Sequence, residues 1–307
     1  MVLRRPRLVL ACAGLSAVLL VVATGTPTAG PSVPQTATTI CRCERRIPIS
    51  SLPYDITAPG SYYVTRDLVG TFAYGIGISA DDVTLDLNGY TLHGSGGGGG
   101  ILVFDPQKNI TIRNGGVRGW SNDGIQAGNV TSGRLQHLVA DGNGASGLVA
   151  GFNCQVLDCS ASFNGDIGIL ARSGSIVSNC SARSNELGFV GLLPANGLLI
   201  QGCTFSSNTD DGIQLNNATG CTLLENDCQA NADRGIYLSE CKGNRLDSNH
   251  CASNAVGLEI VGAASQNNVV VRNSCRMNTT SNYGTLAGSD VGPIGTAAAS
   301  TSPWANL

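Results

Sequence analysis

Histidine is almost missing from this chain of 307 residues: only His93, His137 and His250 occur. No second cysteine or histidine pair follows Cys41-Arg-Cys43 at ligand spacing, so a zinc-type cluster has no partners. Aromatic residues make up 5% of the chain and charged residues 13%. No stretch keeps a 3.6-residue apolar period, which excludes a helical protein. The L-x-x-L-x-L frame of leucine-rich repeats is absent too, and a propeller blade needs roughly 40 residues or more per repeat. Only one long apolar run exists, Leu8 to Ala23. It follows a basic head (MVLRRPR) and precedes small residues, and it falls short of the ~20 residues of a span. Residues 1–25 are therefore expected to be a secretory signal peptide, the mature chain to lack a membrane span, and the protein to be secreted, extracellular or periplasmic. Arg4, Arg5 and Arg7 leave with the leader, so 15 of the 18 basic residues face 21 acidic ones, a net charge of −6. That balance excludes nucleic acid as a partner, which needs a basic footprint.

What the chain has is glycine, asparagine and a period. Gly-led segments begin at Gly75, Gly100, Gly124, Gly147, Gly168, Gly188, Gly212, Gly235 and Gly257, 20 to 25 residues apart. Asn143, Asn164, Asn185, Asn208, Asn231, Asn254 and Asn278 keep step with them. Eight residues before each Asn stands an aliphatic residue (Leu135, Val156, Val177, Ile200, Leu223, Leu246, Val270); three before it stands a small or apolar one (Ala140, Ala161, Ala182, Phe205, Cys228, Cys251, Cys275). Four before it the residue is mostly polar. This is the period-2 alternation of short strands, and a repeat of this length means a solenoid or array. The expected fold is all-β: a right-handed parallel β-helix of about nine to ten coils with an N-terminal cap. Stacking coils explains the asparagines, because an inward Asn at one bend of every coil can bond the next and satisfy buried turn groups. A second column runs Cys159, Cys180, Cys203, Asn226, Asn249 and Asn273, suited to small, weakly polar side chains. The cysteine columns read as buried thiols, with one or two disulfides left open by coil spacing and an oxidising compartment.

The expected organisation follows the composition: residues 26–47 a flexible lead-in rich in Pro, Thr and Ala, 48–74 the cap, 75–280 the β-helix, and 281–307 a tail that packs on the rod. Its apolar residues, Trp304 and Leu307 among them, have no place in a plain linker; the tail is expected to cover either the last coil, because a solenoid end needs covering, or the outward stripe of Val149, Leu170 and Val190.

The segments PISSLPYDITAPGSYYVTRDL and VTLDLNGYTLHG resemble the cap and first coils of exported bacterial β-helix proteins of the pectin-lyase-like superfold. Coils such as GIQLNNATGCTLLENDCQANADRGIYL resemble the repeat of that group, and the ending NYGTLAGSDVGPIG with PWANL is similar to the closing segment of one bacterial set with a PWAN-type C-terminus. The resemblance covers residues 48 to 307. It implies the fold and brings no agreed activity, so it transfers no catalytic residue.

Two surfaces stand out as candidate sites. The turn after the Asn column carries Asp166, Glu186, Asp210 with Asp211, and Asp233 on four consecutive coils, with Arg172 and Arg234 nearby in sequence. Asp210, Asp211 and Asp233 are the candidates for paired catalytic acids or for ligands of Ca²⁺; a solvated acidic turn is the favoured explanation, since Asp suits turns and repulsion is cheap in water. Asn208-Thr209-Asp210-Asp211-Gly212-Ile213 resembles the acidic motifs of polygalacturonases, but the Gly-His-Gly and Arg-Ile-Lys of that family are absent. The second surface is the outward column two residues after each Gly, where Val149, Leu170 and Val190 form an apolar stripe and Tyr237 is the one aromatic residue. Such a stripe suits a partner, and a single aromatic platform speaks for a protein over a sugar. The expected function is a non-catalytic surface-association or binding module with a protein or polysaccharide partner at the cell surface and no cofactor beyond that Ca²⁺. The alternative is a polysaccharide-active lyase or glycoside hydrolase.

Overall fold

The computed structural model describes residues 46–193, 195–296 and 302–307. The expected signal peptide, most of the lead-in and Cys41 and Cys43 lie outside them. Among the described residues every regular element is a strand, and no helix is long and apolar enough to cross a membrane.

Eleven strands, from Tyr54–Ile56 to Ser281–Leu286, pair in parallel, one per coil, to make one face of a solenoid of about ten turns. Twenty more strands build two further faces. A typical coil runs through Ile213–Asn216 on the first face, Thr222–Leu224 on the second and Asp227–Gln229 on the third. Parallel connections within a sheet are right-handed for steric reasons. The solenoid also includes Ile47–Ile49, which pairs with Gly60–Val64, so paired strands already run through the segment assigned to a cap.

The columns read from the sequence are the columns of the core. On the first face Ile125, Leu148, Ile169, Phe189, Ile213, Ile236 and Leu258 are stacked in register and fully buried. On the second face Leu135 to Val270 stack in the same way, and on the third Ala140 to Cys275. Coils approach so closely at Gly212 that an added Cβ would lie 2.6 Å from the Gly235 carbonyl oxygen. Glycine there is a matter of space.

The asparagines form the expected ladder. Asn208 donates from its backbone N (3.1 Å) and its Nδ2 (2.9 Å) to Asn231 Oδ1, and Asn231 repeats both bonds to Asn254. Trp120, fully buried, stands ahead of the first asparagine and donates its backbone N–H to Asn143 Oδ1. In the second column thiols and amides do the same work. Cys180 Sγ donates to Val156 O and Cys203 Sγ to Val177 O, as Asn226 Nδ2 donates to Ile200 O. Cys180 N donates to Cys203 Sγ, and Cys203 N to Asn226 Oδ1. All nine cysteines among the described residues are buried free thiols; burial pushes that of Cys221 up to about 11.

Each coil turns at single residues in the left-handed region, most of them Gly, Asn, Asp or Ser, but at one corner residue type hardly matters. Phe163 (φ 55°), Ala230 (φ 53°) and Met277 (φ 57°) occupy the corner that Ser184, Ser207 and Ser253 fill in other coils. A left-handed conformation costs a residue with a Cβ about 1–2 kcal/mol. Stacked ladders on both sides of the corner hold it in place.

Candidate functional site

Coil stacking fixes the acidic turn residue by residue. Asp210 N donates to Glu186 O (2.9 Å), Ala232 N to Asn208 O (2.9 Å) and Asp233 N to Asp210 O (3.2 Å). The result brings Asp210, Asp211 and Asp233 together, with one carboxylate oxygen of each within 4.8 Å of the others. Asp166 and Glu186 are not part of that group, and Arg172 stacks against the Phe152 ring, so the four-coil strip narrows to two coils.

Within the cluster the three acids differ. Asp210 and Asp233 are half-buried at the surface, whereas Asp211 is 1% exposed. Asp211 Oδ1 accepts the Arg234 backbone N–H at 2.9 Å, but Oδ2 is buried with no hydrogen-bond partner. An earlier coil shows how such an oxygen is normally satisfied. Asp123 Oδ1 accepts Ser146 N while its Oδ2 accepts Gln126 Nε2. Burial is the main reason that the Asp211 pKa rises to about 7; the Arg234 N–H opposes the rise and neighbouring Asp210 adds to it.

Arg234 closes the site from outside. Its Nη1 pairs with Asp233 Oδ2 and lies 3.6 Å from Asp211 Oδ1, its Nε donates to Glu259 Oε2 at 2.7 Å, and its guanidinium lies 4.2 Å from the Tyr237 ring centre. Glu259 and Tyr237 are adjacent in the outward column, which continues from Gln214 to Tyr237 to Glu259. Planar donors and acceptors thus line a ledge on the first face, half-open to solvent, with one sealed acid behind it. Sequence reasoning placed Tyr237 in the outward column but missed that Arg234, two residues before the inward Ile236, ties it and Glu259 to the acids. Counting register positions across the coil boundary is the signal that finds it.

The outward apolar stripe needs a correction. Val149, Leu170 and Val190 do point away from the core and do stack, yet they are only 5%, 7% and 8% exposed. At one strand spacing each side chain lies against the next, and Gln126 and Gln214 continue the column at its two ends. They form a stacked ladder with little open apolar surface. Two polar grooves of about 280 and 260 Å³ open on the other faces, beside Arg134 and beside Arg118 and His137. Neither touches the acids.

Residues 99–275 match the family model described as right handed beta helix region. No curated protein matches the chain. Among solved structures it is similar to the A-module of Azotobacter vinelandii mannuronan C-5 epimerase AlgE6, at 15% identity and a TM-score of 0.54 over 81% of this chain and 89% of that one. The A-module of the AlgE4 epimerase from the same organism follows at 16% and 0.52, covering 81% and 75%. Pectate lyase Pel9A gives 11% and 0.51, covering 80% and 70%. At such identities the likeness is one of fold.

Proposed function

The chain belongs to the right-handed β-helix family, and from that membership and the site geometry we propose that it is an exported, non-catalytic module that binds polysaccharide on the ledge of Arg234, Tyr237, Asp233 and Glu259. One observation carries the choice of binding over cleavage. The acid whose pKa lies near neutrality, Asp211, is 1% exposed behind Arg234. A general acid or base must come within hydrogen-bond reach of the proton that it moves, and this one is sealed. The accessible groups are held flat and cross-linked, which suits hydrogen bonding to sugar hydroxyls without reaction. Similar folds among mannuronan epimerases and a pectate lyase, by their names proteins of polysaccharides, support the ligand class, and the leader-like residues 1–25 support export. A sugar now ranks above a protein as the partner, because Arg234 and Glu259 give Tyr237 a polar frame that the column alone did not show.

Calcium fits the three acids beside Arg234. Three carboxylates converge, and Asp211 Oδ2 is a buried oxygen in need of a partner. Asp210, Asp211 and Asp233 would hold the ion, which would supply positive charge for an anionic sugar. The second reading, a polysaccharide-active enzyme, is favoured by the same Asp211, since a carboxyl titrating at about 7 suits general acid–base work. A polysaccharide panel, with and without Ca²⁺ and scored for both binding and new reducing ends, separates the two. Binding without cleavage supports the module. Unsaturated uronate products or new reducing ends overturn it.

A further inference from the structure

The second polar column does not stop at its last coil. Asn273 donates from its backbone N (2.9 Å) and Nδ2 (3.2 Å) to Asn306 Oδ1, as Asn249 does to Asn273. Asn306 lies 33 residues further on, beyond Ser281–Leu286 and Ser289–Val291, which pair with Val256–Val261 and Asn268–Val271. Its Nδ2 donates to Val270 O (2.9 Å) and Gly292 O (3.0 Å), so both amide hydrogens and both acceptor positions are used, and the residue is fully buried. The backbone on either side is docked as well. Arg272 N donates to Trp304 O (3.3 Å), Leu307 N to Asn273 O (2.8 Å) and Cys275 N to Leu307 O (2.6 Å). The Arg272 guanidinium lies 5.4 Å from the centre of the Trp304 ring and is anchored by Asp247, a 2%-exposed carboxylate that also holds Arg245. Tyr283 Oη donates to Asn273 O, and lies 3.2 Å from Leu307 O.

These are the parts of a peptide-recognition site: an open strand edge that gives main-chain bonds and one pocket that reads a side chain. We propose that the last coil recognises a Trp-Ala-Asn segment, that residues 302–307 fill the site from within the chain, and that it accepts the same segment from a second copy. Every contact is non-covalent, so the site distinguishes its own segment from a copy only by effective concentration. The pocket selects asparagine. Aspartate of the same shape still accepts from Asn273, but it cannot donate to Val270 O and Gly292 O and sets a charge against two carbonyls. Losing such paired groups weakens docking by at least about tenfold.

The test uses the full chain and amide hydrogen exchange. In the parent the Cys275 amide, bonded to Leu307 O, is expected to exchange slowly. In Asn306→Asp it is expected to exchange at least about tenfold faster. Millimolar free Ser-Pro-Trp-Ala-Asn-Leu should restore slow exchange, and Ser-Pro-Trp-Ala-Asp-Leu should not. Unchanged exchange in Asn306→Asp, or restoration by both peptides or by neither, overturns the proposal. If Asn306→Asp loses its β circular dichroism, Trp304→Ala, which leaves the ladder intact, takes its place with the same two peptides and the same deciding outcomes. Neither result bears on polysaccharide binding.

Discussion

Replacing Asp211 by asparagine should stabilise the protein at alkaline pH and give no benefit in acid. Burial raises the Asp211 pKa from 3.8 to about 7, so the folded state binds a proton that the unfolded state has released between those values. A raised carboxylate pKa favours folding below pH 4; that contribution declines as pH rises and is gone above about 7. A shift of about three units corresponds to about 4 kcal/mol at most, and relaxation around the site reduces it to about half. The asparagine side chain would keep an oxygen for the Arg234 backbone N–H and set an uncharged amide among the Asp210 and Asp233 carboxylates in place of a third negative charge. Urea unfolding at pH 4.5, 6, 7 and 8 in the presence of a chelator measures the difference. Asp211→Asn should gain about 1–3 kcal/mol on the parent between pH 4.5 and pH 8. A gap that stays constant with pH would show that Asp211 is not a sealed, ionisable acid, and the argument for binding over cleavage would lose its basis.

Two further outcomes follow from the same geometry. Asn208→Leu or Asn231→Leu leaves ladder partners unpaired on both neighbouring coils, which should cost about 1–3 kcal/mol in denaturant unfolding; a loss under ~0.3 kcal/mol in both variants would remove the ladder's role. Millimolar Ca²⁺ should raise the melting temperature of the parent by preferential binding to the folded state, and Asp211→Ala should abolish the rise. No rise in the parent would return Asp210, Asp211 and Asp233 to the status of turn acids.

The columns were legible because they obey two simple periods at once. Alternation along the strand set inside from outside, and the recurrence every 20 to 25 residues put Ile213 on Ile236 and Asn208 on Asn231. What escaped was whatever breaks a column or joins two of them. Phe163, Ala230 and Met277 turn corners without any turn preference of their own, held left-handed by stacking. Asn306 completes a ladder from 33 residues away, outside the period that found the others. Side-chain reach was the other gap. The three acids were visible as a cluster, but their inequality was not, because one residue of register separates sealed Asp211 from half-open Asp210. Likewise the outward valines and leucine were read correctly as outward, while their mutual cover at one strand spacing needed coordinates.

The most direct test of the account is a binding isotherm on whichever polysaccharide of the panel the parent retains, measured for the parent, Arg234→Ala, Tyr237→Ala and Arg134→Ala, with reducing ends assayed in the same samples. Arg134 lines a groove on another face and serves as the control. The Arg234 and Tyr237 variants should lose binding by about tenfold or more, on the order of 1.4 kcal/mol, Arg134→Ala should bind as the parent does, and no sample should gain reducing ends. Parent-like binding by Arg234→Ala and Tyr237→Ala, or cleavage by the parent, would contradict it.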